Sequence, residues 1–391
     1  MSKIKVLRGG KLIDGTGRPP LNDMVIVIED SKIIEVGRND EIEIPKEAQI
    51  IDVDGNTIIP GMIDAHVHLC YGKHGEPEYL KPYRSIIEAK NLLNAGFTAV
   101  RCCGSIGTPY LKSAIELGII AGPRIMAARI GLSSSIYHIS IGKSVDGVED
   151  CRRAVREEIS QGADFIKIFA SASSVGKNPK LPVLTLNEIK AITEEAHRVG
   201  VKVGAHAIGG EGLTNAILGG VDTIEHGRFL DDDLCRQMVK MNIIYIPTFM
   251  TYHLTLVDPY RPLFSYLEVK NTEDGYDAHV ASVKNAHKAG VKIVTGTDLG
   301  PTLPFGMDAG ELEWLNKLGL TPMEAIVSAT KYASEAIGLE NQIGTIEKGK
   351  LADLVIVYGD PLVNIEILKE SENLTVMKNG EIIKTHKKLF T

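Results

Sequence analysis

The chain has 391 residues, a formal net charge of −7, and 44% apolar and 24% charged residues, the make-up of a globular protein long enough for a large core and a second, smaller domain. A mildly acidic balance without a basic block argues against nucleic acid held through phosphate contacts and against a polybasic membrane patch, leaving a small-molecule partner. The five cysteines, Cys70, Cys102, Cys103, Cys151 and Cys235, are odd in number and form no CxxC pair, which disfavours a disulfide framework or zinc knuckle and suits a reducing, cytoplasmic setting.

The opening MSKIKVLRGGKLIDG is broken by charge and glycine before an apolar leader core forms, and no apolar run reaches about 18 residues, so neither export nor membrane insertion is expected. Residues 1–60 show short alternating runs such as MVIVIED and KIIEVG between Gly, Asn and Asp turns, the texture of a small all-β unit. From residue 61 to 342 apolar strands alternate with amphipathic helices such as SIIEAKNLLNAG, DCRRAVREEISQG and EIKAITEEAHRVG. The candidate strands are MIDAHVHL, FTAVRCCG, RIMAARIG, DFIKIFAS, VKVGAHA, DTIEHG, IIYIPTFM and VKIVTGTDLG. Their number, and the lack of a Gly-rich dinucleotide fingerprint after the first, predict an α/β fold, a closed (β/α)8 TIM-like barrel. Residues 343–391 return to β texture in ADLVIVYGD and LTVMKNGEIIK. Both ends are expected to join in one small discontinuous β-sandwich domain.

His66 and His68 lie two apart in DAHVHL, so both imidazoles leave the same face of the first strand, a geometry for gripping one ion. His206, His226 and Asp298 close later strands on the rim where barrel active sites form. Each alone reads equally as a hydrogen-bonded core residue; together they point to a metal centre. Lys167 closes the fourth strand on that rim. A buried ammonium is costly, and burial lowers its pKa from about 10.4 towards neutrality of the amine. Such an amine is able to take up carbon dioxide as a carbamate, whose two oxygens bridge cations about 3.5 to 4 Å apart. A Schiff-base lysine or a lysine snorkelling to the rim are the alternatives.

The segments IDVDGNTIIPGMIDAHVHL and NQIGTIEKGKLADLVIV resemble the amidohydrolase superfamily at its entry into and exit from the barrel. DGVEDCRRAVREEISQGADFIKI, VGAHAIGGEGLTNAILGGVDTIEHG and LTPMEAIVSATKYASEAIG are similar to its prolidase-like and imidazolonepropionase-related branch, which includes Xaa-Pro dipeptidases and carboxypeptidases. The resemblance implies two divalent ions, with Zn²⁺ expected although Mn²⁺ and Co²⁺ suit the donors comparably. His66 and His68 would bind the more buried ion with Asp298, His206 and His226 the second, and carboxylated Lys167 would lie between them. It implies hydrolysis of an amide bond in a dipeptide or N-acyl amino acid by a metal-bridging hydroxide, with Asp298 carrying the proton to the leaving nitrogen. A cyclic amide, imidazolone or lactone is the alternative substrate. His138 in SSSIYHISIG stands where the branch places a histidine near the substrate carbonyl, hence an expected oxyanion role.

Where relatives often carry glycines, this chain has Ile136 and Tyr137. Ile208 and Phe305 replace polar residues, which predicts a more apolar pocket. Arg228, Tyr252 and Tyr137 are candidate substrate contacts, Arg228 by pairing with a carboxylate. Cys102 and Cys103 read as small packing residues, with extra soft ligands the alternative, and the long segment 253–278 reads as a lid-like loop. A homo-oligomer is the expected assembly.

Overall fold

The structure is a computed structural model that describes residues 3–73, 75–137 and 142–386. It divides into two compact units: Met1–Asp64 with Glu88–Ala99 and Phe305–Thr391, and Ala65–Ile87 with Val100–Pro304.

The first unit gathers both chain ends. Ile4–Leu12 pairs antiparallel with Leu21–Glu29 and parallel with Gln49–Asp52 and Thr57–Pro60. Thr57–Pro60 then pairs with Leu354–Val357, which carries Leu374–Lys378 and Glu381–Lys384 onward. With Lys32–Arg38 this makes one eight-stranded sheet, so the ends expected to form a sandwich appear as a single sheet. Its strands alternate as the pleat requires: Leu7, Ile26 and Ile28 enter one apolar cluster, and their neighbours Val6, Val25 and Val27 enter another.

In the second unit a six-stranded sheet runs in the order Gly142–Ser144, Gly131–Ser133, Ile166–Phe169, Val203–Ala207, Thr223–His226, Ile244–Ile246, with parallel pairing throughout. The strands from Ile166 onward are buried on both faces, which is why they read as apolar runs rather than alternations. Met62–Val67, Phe97–Cys102 and Arg124–Ala127 form a separate three-stranded sheet. The expected last strand, VKIVTGTDLG, is reduced to two isolated parallel bridges, Tyr245 to Ile293 and Val67 to Leu299. The parallel strands of the six-stranded sheet point the same way, and three of the candidate ligands, Lys167, His206 and His226, are carried by it.

The segment read as a lid-like loop is helical from Tyr266 onward. Tyr266–Ala289 is one helix of 24 residues, opened by a capping box in which Ser265 and Glu268 satisfy each other's backbone N–H groups. NTEDGYDA misleads because Gly and Asn ordinarily break helices. Gly275 has a local reason: a Cβ there would collide with the Arg228 guanidinium.

Candidate metal centre

Three donor atoms converge at the end of the first strand. His66 Nε2 and His68 Nε2 lie 3.3 Å apart, and Asp298 Oδ1 is 3.2 Å from the first and 3.0 Å from the second. Ligands at about 2.0–2.2 Å from a tetrahedral ion stand about 3.3–3.6 Å from one another, so this triangle is close to that of three ligands sharing one such ion. His68 Nδ1 is buried without a hydrogen-bond partner, in keeping with a ring placed for its other nitrogen. Asp298 reaches the cluster through left-handed backbone, φ 59°, while its N–H donates to the His66 carbonyl at 2.8 Å.

His206 and His226 come from neighbouring strands, and their rings stand 4.5 Å apart between centroids; His226 is 5.2 Å from His66. His226 also takes left-handed backbone, φ 69°, and its Nδ1 is 2.8 Å from Thr248 Oγ1. His206 Nε2 lies 3.2 Å from the Ala172 carbonyl. Burial holds His206 down to about 3 and keeps His66 and His226 well below the usual histidine range, so all three are neutral, the form in which imidazole binds a metal. Burial alone would raise the Asp298 carboxyl, but His66 and His68 hold it well below the ordinary carboxylate range.

Lys167 lies on the inward face of Ile166–Phe169, fully buried, and burial lowers it to about 8. It touches Glu225 Oε2. The contact is possible because Lys167 pairs in register with Gly204, which in turn pairs with Thr223. A Cβ at Gly204 would come within 2.8 Å of Glu225 Oε1 and 3.3 Å of Arg101 Nη1, so the missing side chain leaves room for the Glu225 carboxylate and the Arg101 guanidinium. Arg101 reaches the same carboxylate, Nη2 to Oε1 at 2.8 Å, and also donates to the Ala65 carbonyl at 2.8 Å and to Thr223 Oγ1 at 3.1 Å. His66 Nδ1 is 3.5 Å from Glu225 Oε2.

Glu225 and Arg101 are absent from the expected site, yet each carries the signal that exposed Lys167: a charge inside an apolar strand. Among the described residues the donor clusters tight enough for one ion are His66–His68–Asp298 and His66–Cys103–Glu225. Cys103, expected only to pack, has its Sγ 3.8 Å from Glu225 Oε1, and burial pushes its thiol up.

All six expected ligands, His66, His68, Lys167, His206, His226 and Asp298, line one cavity of about 390 Å³, a volume suited to a small molecule. Tyr252 and Tyr71 are in its wall, with Phe169, Phe264 and Leu303 giving the apolar lining. Tyr71, unread in the sequence, stands edge-on to His68 at 5.4 Å.

Arg228 is the expected partner of a substrate carboxylate. It is fully buried, lies 4.6 Å beneath the Tyr252 ring, and spends Nη2 on the Asn271 carbonyl at 2.7 Å. It lies against Tyr252, which lines the cavity. Tyr137 likewise stands behind the wall, its hydroxyl 2.7 Å from that of Ser173, which does line the cavity. Ile208 is buried and is not part of that lining. His279 is buried 5.2 Å from the Tyr252 ring. His138 lies outside the described residues.

Residues 57–383 match the model of the amidohydrolase family. The chain is 30% identical to the ochratoxinase of Aspergillus niger over 98% of this chain and 87% of that protein. It is 26% identical to an imidazolonepropionase of Geobacillus sp., over 91% and 89% respectively. A solved prolidase complexed with N-methylphosphonate-L-proline superposes with a TM-score of 0.89 at 31% identity, over 98% of this chain and 100% of that one. No helix among the described residues is long and apolar enough to cross a membrane.

Proposed function

Because the chain belongs to the amidohydrolase family and is a hydrolase acting on C–N bonds, we propose that it is a prolidase-like enzyme that uses two metal ions to cleave the amide bond of a dipeptide or N-acyl amino acid. The observation that carries this reading is the gathering of six ligand candidates around one small cavity. The likeness to a prolidase holding a proline phosphonate supports the substrate class. We read the two parallel sheets and segment 291–300 as one (β/α)8 barrel, supported by the bridges at Val67–Leu299 and Tyr245–Ile293 and by the Asp164 N–H donating to the Ala127 carbonyl at 2.8 Å. Residues 1–60 and 343–391 are its small β domain.

His66, His68 and Asp298 would hold one ion, His206 and His226 the other, with Lys167 as a carbamate between them. Two bound divalent ions, Zn²⁺ by this donor set, would acidify a water and polarise the scissile carbonyl. The chain's own groups do the rest. Asp298 directs Oδ1 at both histidines, and its second oxygen accepts the proton of the attacking water and returns it to the leaving nitrogen. Burial pushes Tyr252 up to about 12, so it remains a neutral phenol whose O–H is offered to the substrate's anionic end. The buried Arg228 beneath it keeps that end of the cavity positive. His138 would add a donor to the developing oxyanion. Phe169, Phe264 and Leu303 exclude water around the scissile bond.

Metal-stripped protein should be inactive and recover on Zn²⁺ with bicarbonate, assayed on a panel of dipeptides including Xaa-Pro, N-acyl amino acids, lactams and lactones. Lys167→Ala should lower kcat/KM by about 100-fold or more. Undiminished activity in that variant would remove the carbamate, and turnover of cyclic compounds alone would replace the peptidase reading with the cyclic amide one.

A further inference from the structure

Tyr71 stands in the wall of the metal cavity, edge-on to His68 with ring centroids 5.4 Å apart. Its hydroxyl is buried and has no hydrogen-bond partner. Other hydroxyls of that wall are spent inside the protein: Ser173 with Tyr137 at 2.7 Å, Thr251 on the Thr297 carbonyl at 2.5 Å, and Thr255 on the Thr251 carbonyl at 2.9 Å. A buried O–H left unpaired costs free energy that a Phe in its place would not. A phenol at this position is therefore explained by a partner that comes from outside the chain.

The backbone makes room for the hydroxyl. Gly104 takes φ 138°, and a Cβ there would stand 3.2 Å from Tyr71 Oη. Its neighbour Cys103 donates its N–H to the Val67 carbonyl at 2.8 Å, so the hydroxyl lies over the ends of the strands that carry His66 and Arg101. Ring contacts run from Tyr71 to His68, from His68 to His66 at 5.2 Å, from His66 to His226 at 5.2 Å, and from His226 to Tyr252 at 5.8 Å. Tyr71 thus flanks the ligands of one proposed ion, and Tyr252 those of the other. With the substrate's carboxylate at Tyr252 and its scissile carbonyl over the ions, the acyl group is left to the side of Tyr71. Gly300 keeps that side open, since a Cβ there would come within 2.7 Å of His68 Cβ.

We propose that Tyr71 selects the substrate on its acyl side, by pairing with an amine or a hydroxyl on the carbon next to the scissile carbonyl. This rests on the reading of the chain as a hydrolase of dipeptides or N-acyl amino acids. A phenol both donates and accepts, so either substituent satisfies it, whereas an acyl group with neither leaves the O–H buried and unpaired. The contact lies away from the reacting atoms, so its loss removes selectivity and spares the chemistry.

The test uses three acyl groups of nearly one shape, alanyl, lactoyl and propionyl, each joined to the amino acid that wild type releases fastest in the panel above. Values of kcat/KM are measured for Zn²⁺-loaded wild type and for Tyr71→Phe, whose ring still packs on His68. Wild type should favour the better of alanyl and lactoyl over propionyl by about 10-fold or more, and which of the two is better identifies the substituent. Tyr71→Phe should bring that ratio to within about twofold by losing rate on the favoured substrate alone. The metal-free variant should have a urea midpoint no lower than wild type, because the O–H it loses has no partner in the fold. A wild-type ratio near one, a ratio that survives in Tyr71→Phe, an equal loss on all three substrates, or a lower urea midpoint would each overturn the proposal and leave the amide-hydrolase reading standing. Cleavage of none of the three by wild type would remove that reading, and the proposal with it.

Discussion

Lys167 and Arg101 are two buried cations that share a single carboxylate, Glu225. Removing a charge from such a group costs more than the group gains by forming, because the partners remain desolvated and uncompensated. Glu225→Gln keeps the shape and deletes the charge. It should lower the stability of the metal-free protein by about 3–5 kcal/mol, read from the urea midpoint at pH 7; a midpoint matching wild type would mean the network carries little. Lys167 is legible in the sequence because FIKIF leaves no other reason for a charge. FTAVRCC and DTIEHG present the same anomaly at Arg101 and Glu225, but strand-end histidines draw attention away from a residue that bears no metal-ligand pattern. The orientation of His226 and Asp298 is less accessible still. Both sit at positive φ, where non-glycine residues rarely go, and a period-two count along a strand has no means of anticipating it.

At the scale of elements, strands and helices with clean periodicity are legible: Leu186–His197 carries its own capping box at Thr185 and Glu188, and its apolar residues recur at helical spacing. Tyr266–Ala289 is not, since its centre looks like a loop and only the tertiary packing of Arg228 explains Gly275. That explanation has a measurable sign. Helix propensity alone predicts that Gly275→Ala stabilises by about 1 kcal/mol. Overpacking a filled site costs about 1–3 kcal/mol, and Arg228 has little freedom to yield, being fully buried and bonded to the Asn271 and Thr272 carbonyls and to Ser174. The collision should win, leaving a net loss of about 1 kcal/mol in chemical denaturation. In an Arg228→Met background the same substitution should turn neutral or stabilising; equal effects in both backgrounds would dissociate Gly275 from Arg228.

Over the whole molecule, the chain ends' β texture and the alternating middle are readable because burial on one or two faces writes itself into residue order. The single-sheet arrangement of the ends is not, since strand order depends on long-range pairing such as Thr57–Pro60 with Leu354–Val357. The buried histidines give the molecule a collective pH response. His66, His206, His226 and His279 are neutral in the fold, with burial depressing all four, His206 to about 3, whereas in the unfolded chain each titrates near about 6.5. Below that value the unfolded state binds protons that the fold refuses, so stability is present above pH 6.5 and declines as pH falls towards the folded values. Between pH 7.5 and 5.5 each histidine should remove about 1.4 kcal/mol, and the four together about 5 kcal/mol. Metal-free protein should therefore melt at a clearly lower temperature at pH 5.5 than at pH 7.5. In His206→Gln the difference should shrink by about a quarter, because one of the four groups that drive it is gone. An equal melting temperature at the two pH values would place these histidines in a more hydrated setting than their burial indicates.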